Sequence, residues 1–153
     1  MSNIKGWAWY PYDKLPREDG FSVTVSDEDE MWYKSGQLHR MNGPAISRCD
    51  GSEEWYLHGK LHRVDGPAII DSDGTEEWWW HGELHREDGP AIRGRGMQAW
   101  YLHGILHRVD GPAITHYNGI KEWWVNGIRI VETQFMQYVN IYVDIYKNFR
   151  LFS

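Results

Sequence analysis

Short runs of alternating apolar and polar residues recur along the chain, separated by residue pairs that end in glycine. In one stretch, EEWYLHGKLHRVDGPAIIDSDGT (residues 53–75), His58-Gly59 separates two such runs and Asp73-Gly74 follows a third. A period of two is the pattern of a β-strand, and an X-Gly pair between strands predicts a two-residue turn with positive φ at both positions. Proline cannot donate a ladder hydrogen bond, so Asp65-Gly66-Pro67 is predicted to interrupt the strand that contains it.

This stretch is one copy of a repeat. Four phrases of the form LHR-x-(D/N)-GPAI begin at Leu38, Leu61, Leu84 and Leu106. The tryptophans that open successive units are 23, 23, 22 and 23 residues apart: Trp32, Trp55, Trp78, Trp100 and Trp123. A period of this length indicates stacked structural units. We therefore predict a mainly β fold of antiparallel β-hairpin repeats, about 23 residues each, that form an elongated single sheet or shallow solenoid with a C-terminal capping α-helix.

The same pattern predicts how the chain is divided and which residues face each other. We expect a degenerate N-terminal capping repeat in residues 1–31, four full repeats and a partial last one in residues 32–130, and a helical cap in residues 131–153. Across the His58-Gly59 turn the expected pairs are Leu57–Lys60, Tyr56–Leu61, Trp55–His62 and Glu54–Arg63. Because side chains alternate between faces, Trp55 and His62 should share one face, and Glu54, Tyr56 and Arg63 should share the other. Glu54–Arg63 and Glu77–Arg86 are the expected charge pairs.

After Ile130 the apolar residues change to helical spacing, which predicts a helix from about Glu132 to Asn148. Its apolar stripe is expected to cover the open end of the last repeat and consists of Phe135, Tyr138, Tyr142, Ile145 and Phe149. Further apolar positions, among them Met136 and Val139, would allow a homodimer contact through the same helix.

The composition of the chain argues against some classes of binding partner. The net charge of −6 argues against general binding to nucleic acid or to an anionic membrane surface. Ten Trp and nine Tyr against four Phe indicate a demand for large rings that also carry a polar group. One cysteine and the absence of an apolar N-terminal segment predict a soluble, cytoplasmic protein without disulfides.

The repeat phrase also carries a resemblance. Tyr-x-x-Gly-x-Leu-His at this period resembles the MORN repeat and its bacterial YwqK-type variants. The fuller phrase, W-Y-x-x-G-x-x-H-R-x-D-G-P-A-I, closes with Asn126-Gly127 and a Phe-containing helix, and is similar to tandem repeats of proteins from phages and large viruses. The resemblance covers about residues 32–135 and implies an extended antiparallel sheet that binds proteins or lipids without catalysis. It further implies a phage- or virus-encoded protein that acts in the host cytoplasm.

Several residue patterns suggest chemistry, and each has a structural alternative. The repeated His-Arg pairs could form an anion or nucleotide cradle, with arginine on phosphate and an aromatic ring on a base. Alternatively, each arginine pairs with a glutamate across the hairpin or with the aspartate of the following DGP turn. The HxxxH spacing would hold zinc on a helix, but here the first histidine falls in a turn, so no metal site is predicted. Asn42 replaces the DGP aspartate in the first copy, which favours a turn acceptor over a general base.

Two stretches are singular. Trp78-Trp79-Trp80 provides extra aromatic area, either as a contact surface or as additional core. Arg93-Gly94-Arg95-Gly96 is a small basic loop, either a solvated turn or a phosphate-binding loop. No nucleophile, general base or phosphate loop stands outside the repeat pattern, so neither an enzymatic activity nor a cofactor is predicted.

The candidate binding residues are therefore the repeated tryptophan, histidine and arginine positions with the two singular stretches: Trp55, His62, Arg63, Trp78, Trp79, Trp80, His85, Arg86, Arg93, Arg95, Trp100, His107 and Arg108. The leading hypothesis is a non-enzymatic protein whose aromatic, histidine- and arginine-lined sheet binds a protein partner or assembles with itself. The alternative is a phage counter-defence protein that sequesters a nucleotide-type signalling molecule.

Overall fold

The chain folds into a long antiparallel sheet, as predicted. The structure, a computed structural model, describes residues 21–24 and 29–137. The strands are β1 (Phe21–Thr24), β2 (Glu30–Lys34), β3 (Gln37–Leu38), β4 (Ile46–Ser47), β5 (Glu53–Glu54), β6 (Tyr56–Leu57), β7 (Lys60–Leu61), β8 (Ile69–Ile70), β9 (Glu76–Glu77), β10 (Trp79–Trp80), β11 (Glu83–Leu84), β12 (Ile92–Gly94), β13 (Met97–Ala99), β14 (Tyr101–Leu102), β15 (Ile105–Leu106), β16 (Ile114–Thr115), β17 (Lys121–Val125) and β18 (Ile128–Ile130). Eleven of them follow one another in the order β1-β2-β4-β5-β8-β9-β12-β13-β16-β17-β18, and β3 pairs with β2.

Each repeat contributes one ascending and one descending path across this sheet. The ascending path is β5 and β6, separated only by Trp55; the descending path is β7 and β8, separated by residues 62–68. Hydrogen bonds bridge the gap at Trp55, whose N–H donates to Ala68 O (2.7 Å) and whose carbonyl accepts from His62 N–H (2.9 Å). The sheet therefore remains continuous while the R-x-D-G-P segment leaves it.

The X-Gly pairs form the predicted turns. The residue before glycine has φ between 49° and 51° at Ser35, His58, His81, Arg95, His103 and Asn126, and the following glycine also has positive φ. Positive φ at both central residues defines the type I′ hairpin turn, whose twist matches that of the strands it joins. The predicted pairs Tyr56–Leu61 and Leu57–Lys60 are confirmed.

The loop at the opposite edge of the sheet explains the single 22-residue spacing. In the second full repeat Asp71 N–H donates to Thr75 O (2.8 Å), which leaves a three-residue loop that ends at Gly74, φ +82°. In the next repeat Gly94 pairs directly with Met97, so Arg95-Gly96 forms a two-residue loop. The shorter unit therefore lacks one residue of the loop and none of the strands, so the register of the strands is unchanged.

Gly94 is constrained by this shorter loop, which leads to a first prediction. A Cβ at Gly94 would lie 2.4 Å from Thr75 Oγ1 and 2.6 Å from Thr75 Cα, and a backbone atom cannot rotate away. We expect Gly94→Ala to lower the free energy of unfolding by about 1–3 kcal/mol because of this overlap. Urea denaturation checks it, with Gln98→Ala as the control in the paired strand; equal midpoints for the two variants would contradict the assigned register.

The expected pairing stops one residue earlier than predicted, and the Glu54–Arg63 pair is wrong. Glu54 lies between Ile46 and Ile69 in the ladder, and Arg63 N–H instead donates to Trp79 O of the next repeat (3.2 Å). The reason is the DGP segment: it begins to leave the sheet after His62, so the descending chain no longer follows the hairpin register.

The C-terminal helix is present in the described part of the chain. Residues 132–137 are helical, and Phe135 is 3% exposed with its ring 6.5 Å from that of Trp123. The rest of the predicted helix, including Tyr138 and Phe149, lies outside the described residues, as does most of the expected N-terminal capping repeat. Phe135 thus contacts the last repeat, as predicted for a residue that covers its end.

Few large side chains are fully buried in the part of the chain that the structure describes. The buried apolar residues there are Ala45, Ile46, Ala68, Ala91, Ala99, Ala113 and Phe135. Four of these alanines are the Ala of GPAI, which directly follows the DGP segment in each repeat. A sheet this thin relies on contacts between successive repeats for stability.

Candidate functional site

Each repeated arginine is held between a tryptophan ring and a glycine. Arg63 Cζ lies 3.9 Å from the centroid of Trp55, and the same contact recurs at 3.9–4.0 Å for Arg40 on Trp32, Arg86 on Trp78 and Arg108 on Trp100. On the other side, a Cβ at Gly66 would lie 2.9 Å from Arg63 Cζ, and Gly43, Gly89 and Gly111 show equivalent distances. Only glycine leaves room for the guanidinium. These arginines therefore share a side with their own tryptophan, which corrects the prediction that they lie on the opposite face.

The remaining donors of these arginines are also engaged. Arg63 Nε donates to Asp65 Oδ1 (3.1 Å) and Arg63 Nη1 to Pro67 O (3.1 Å), and Arg86 and Arg108 make the same two bonds. The hydrogen bond from its arginine lowers the pKa of Asp65 and that of Asp88. The phrase R-x-D-G-P thus encodes a loop closed by its own arginine, and the predicted Glu77–Arg86 pair is replaced by Arg86–Asp88.

The repeated histidines join one repeat to the next. His62 Nδ1 accepts a hydrogen bond from His81 N–H (3.2 Å), and the same bond links His39 to His58, His85 to His103 and His107 to Asn126. The ring of His62 also stacks on that of His81, with centroids 4.3 Å apart. An imidazole that accepts at Nδ1 must be in its neutral form with the proton on Nε2. We call these four bonds the histidine bridges.

A row of aromatic residues lies on the face opposite the arginines. Its members follow the repeated tryptophans by one residue: Tyr33, Tyr56, Trp79, Tyr101 and Trp124. In the ladder the first four pair with Leu38, Leu61, Leu84 and Leu106, and Trp124 pairs with Arg129. A second row on this face runs Met31, Ile46, Glu54, Ile69, Glu77, Ile92, Ala99, Ile114 and Glu122. We call these two rows the aromatic face; the described rings on it are half-buried.

Three carboxylates lie among the apolar residues of the aromatic face. Each accepts a hydrogen bond from the aromatic residue two positions later: Glu54 from Tyr56 (2.8 Å), Glu77 from Trp79 (2.8 Å) and Glu122 from Trp124 (3.2 Å). These bonds show that the side chains at i and i+2 share a face, as expected for strands. Burial and the neighbouring Glu54 carboxylate raise the pKa of Tyr56 to about 12.

The charges of these carboxylates are not balanced equally. Glu54 pairs with Arg48, and Glu122 with His116 (2.8 Å) and Arg129 (3.4 Å). Glu77 makes no ion pair with any of residues 29–137. The middle of the aromatic face therefore carries an uncompensated negative charge.

The three adjacent tryptophans have different roles. Trp78 lies under Arg86 and Trp79 belongs to the aromatic face, whereas Trp80 is 38% exposed. The Trp80 ring contacts those of His62 (4.5 Å) and His81 (5.0 Å). Trp80 is thus part of an exposed cluster of rings between two repeats.

The basic loop is partly neutralised by its neighbours. Arg93 pairs with Glu76 (2.8 Å) across the sheet, and Arg95, which occupies the turn, pairs with Asp73. Both arginine side chains remain more than half exposed. Their positive charges are therefore offset by carboxylates of the preceding repeat.

A cleft of about 500 Å³ lies at the C-terminal end of the sheet. Its walls are formed by Lys121, Glu122, Trp123, Arg129, Ile130, Val131, Glu132 and Gln134. Within residues 29–137 no three His, Cys, Asp or Glu side chains are arranged to hold a metal ion. No helix in the described part of the chain is long and apolar enough to cross a membrane.

The structure separates the thirteen predicted binding residues into distinct groups. Trp55, Trp78 and Trp100 with Arg63, Arg86 and Arg108 close the DGP loops, and His62, His85 and His107 bridge repeats. Trp79 alone joins the aromatic face, while Trp80, Arg93 and Arg95 lie elsewhere on the surface. The sequence reasoning placed Tyr56 and Glu54 on one face but did not list Tyr33, Tyr56, Tyr101 or Trp124 as candidates, although the position after each repeated tryptophan is always aromatic.

Comparisons with known proteins add no relative: no protein-family model, no curated protein and no solved structure matches this chain.

Proposed function

We propose that the protein is a non-enzymatic binding protein and that the aromatic face holds a protein partner, either another protein or a second copy of the chain. The observation that carries the proposal is the row of five tyrosine and tryptophan rings that alternate with leucines on one face of an open sheet. Tyrosine and tryptophan contribute most to binding at protein interfaces because each buries a large ring and retains a polar group.

The size of the face suits this role. Eleven successive strands at a spacing of about 4.8 Å extend over about 48 Å. An interface of common size buries about 800 Å² on each partner, which a face of this length can supply. The resemblance to phage and viral repeats belongs to the same proposal, and the protein would then act in the host cytoplasm.

The nucleotide alternative gains no support from the arginines. Arg63, Arg86 and Arg108 are stacked on tryptophan and bonded to aspartate and a proline carbonyl, so using them for phosphate would break the DGP loops. We expect cyclic and linear nucleotides to leave the unfolding temperature unchanged. A stabilisation near 2.7 kcal/mol, the value for a ligand at about 100 times its Kd, would restore the alternative.

Photo-cross-linking tests the proposed face. The photoreactive residue p-benzoylphenylalanine replaces Trp79 in one variant and Gln98 in the other, and both are irradiated in the organism that encodes the protein. Gln98 is the control because it is exposed and lies next to Ala99 in β13, which directs it to the opposite face. We expect adducts of discrete mass from the Trp79 position alone, and a multiple of 18.1 kDa would identify self-assembly. Adducts from Gln98 alone, or from neither position, contradict the proposal.

A further inference from the structure

The aromatic face does not carry a carboxylate in every repeat. The residue before the repeated tryptophan is Glu54, Glu77 or Glu122 in three repeats, Met31 in the first and Ala99 in the repeat that begins with Trp100. Tyr101 consequently has no carboxylate two positions earlier, and its hydroxyl makes no hydrogen bond with any of residues 29–137. Burial, followed by the charge of Glu77, raises the pKa of Tyr101. The Glu77 carboxylate is therefore close enough to Tyr101 to act on it.

The neighbouring strands define the surroundings of Glu77. Ile92 lies between Glu77 and Ala99 in one row, and Leu84 lies between Trp79 and Tyr101 in the other. Two strand spacings separate Trp79 from Tyr101, about 10 Å, so a group placed over Leu84 lies within about 6 Å of both rings. We call this surface, bounded by Glu77, Trp79 and Tyr101, the notch. The notch thus has an apolar floor, an aromatic ring on each side and one uncompensated carboxylate.

These features match the chemistry of a basic side chain. We propose that the notch formed by Glu77, Trp79 and Tyr101 receives a lysine or arginine side chain of the partner, which pairs with the Glu77 carboxylate and stacks against the two rings. The inference rests on the proposed function and names the chemical group that the partner must present. Glu54 and Glu122 do not compete for this group because each already pairs with an arginine, Arg48 and Arg129 respectively.

The basic group that enters the notch should belong to a side chain in an apolar segment of the partner, and not to a small cation in solution. Glu77 lies between Ile69 and Ile92 in the ladder, and Leu61 and Leu84 lie in the adjacent row. A partner that covers the notch therefore covers aliphatic residues on every side. Excluding water from the ion pair in this way strengthens it, whereas an exposed pair contributes little.

Synthetic peptides test the inference without knowledge of the natural partner. Three short peptides alternate valine and threonine around a central arginine, glutamine or glutamate, and calorimetric titration measures their affinity for the full chain. We expect the arginine peptide to bind at least about tenfold more tightly than the glutamine peptide, since a hydrogen bond to a charged group is stronger than a neutral one. The Trp79 indole N–H resonance should shift on binding, and those of Trp55 and Trp100 should not.

Two substitutions at Glu77 and one at its neighbour make the test specific. Glu77→Gln, which can still accept the Trp79 bond, should remove the preference for arginine, and Glu77→Lys should transfer it to the glutamate peptide. The matched control is Glu76→Gln on the opposite face, where the preference should persist. The thermal unfolding midpoint of each variant verifies that it is folded.

The outcomes separate this inference from the function on which it rests. Equal affinity for the arginine and glutamine peptides, with the Trp79 resonance still responding, overturns the basic-side-chain site and leaves binding by the aromatic face intact. A preference for arginine that survives Glu77→Gln also overturns it. Failure of all three peptides to bind at millimolar concentration overturns the inference as well, while the cross-linking result, which needs no peptide, decides the proposed function.

Discussion

Replacing Trp78 with alanine is expected to lower the free energy of unfolding by about 3 kcal/mol, the lower part of the range for removing a large aromatic residue. The indole is one side of the stack that holds the Arg86 guanidinium, so the substitution leaves a cavity and also frees the side chain that closes the DGP loop. Urea denaturation followed by far-UV circular dichroism measures the change without relying on tryptophan fluorescence.

Trp80→Ala is the matched control, two positions further along the chain. Its side chain is 38% exposed, and its ring lies against those of His62 and His81. We expect a loss within about 1 kcal/mol. Equal losses for the two variants would show that the tryptophan–arginine stack does not stabilise the repeat.

Acidification below pH 6.5 is expected to destabilise the sheet through the histidine bridge that His62 makes. Burial, and then the charge of His81, lowers the pKa of His62 below its ordinary 6.5, so the folded state favours the neutral imidazole. The stability that this group contributes is fully present above pH 6.5 and is lost as the pH falls through the lower value of the folded protein. A protonated imidazole also has no acceptor for the N–H of the next repeat.

The size of the effect follows from this one hydrogen bond, which contributes about 0.5–1.5 kcal/mol. Urea midpoints between pH 8 and pH 5 measure the slope, and His62→Gln should reduce it because the titrating group of this bridge is gone. An unchanged slope in that variant would show that His62 does not act as proposed.

A second loss of stability is expected at lower pH and has a different cause. Hydrogen bonds from arginine lower the pKa of Asp65 and Asp88, and the bond to His116 lowers that of Glu122. Carboxylates with a depressed pKa stabilise the fold above their unfolded values of 3.8 and 4.5, and the contribution disappears as the pH falls through the folded values. The two losses of stability should therefore occur at different pH values. As the pH falls, the loss caused by histidine should come first.

The sequence was sufficient for the fold because the local signals agree with one another. X-Gly pairs require positive φ at two successive residues, and a period of about 23 residues repeats that requirement five times within the described chain. The sequence shows that one unit has 22 residues, but it does not show why. Only the pairing of the strands reveals that this unit has a two-residue loop where the preceding unit has a three-residue loop. Turn chemistry is local, whereas register across a loop depends on both strands.

The site was harder to predict because the role of Arg63 depends on residues that leave the sheet. Alternation along an uninterrupted strand places arginine opposite tryptophan, but the DGP segment returns it to the tryptophan side. Glycine at position 66 was attributed to turn geometry, although its absent side chain is what admits the guanidinium. The aromatic face was partly predictable, since Tyr56 and Glu54 were placed together. The pattern drew attention to the most strongly repeated residues, which the structure places in contacts within and between repeats.

The bonds between repeats allow the length of this protein to be altered in whole modules. Each repeat gives its successor the same acceptors: a leucine carbonyl for the N–H of the turn glycine, and a histidine nitrogen for the residue before it. A duplicated 23-residue module would find every partner already in place and would lengthen the sheet by two strands, about 10 Å. The number of repeats encoded in the gene therefore determines the length of the sheet.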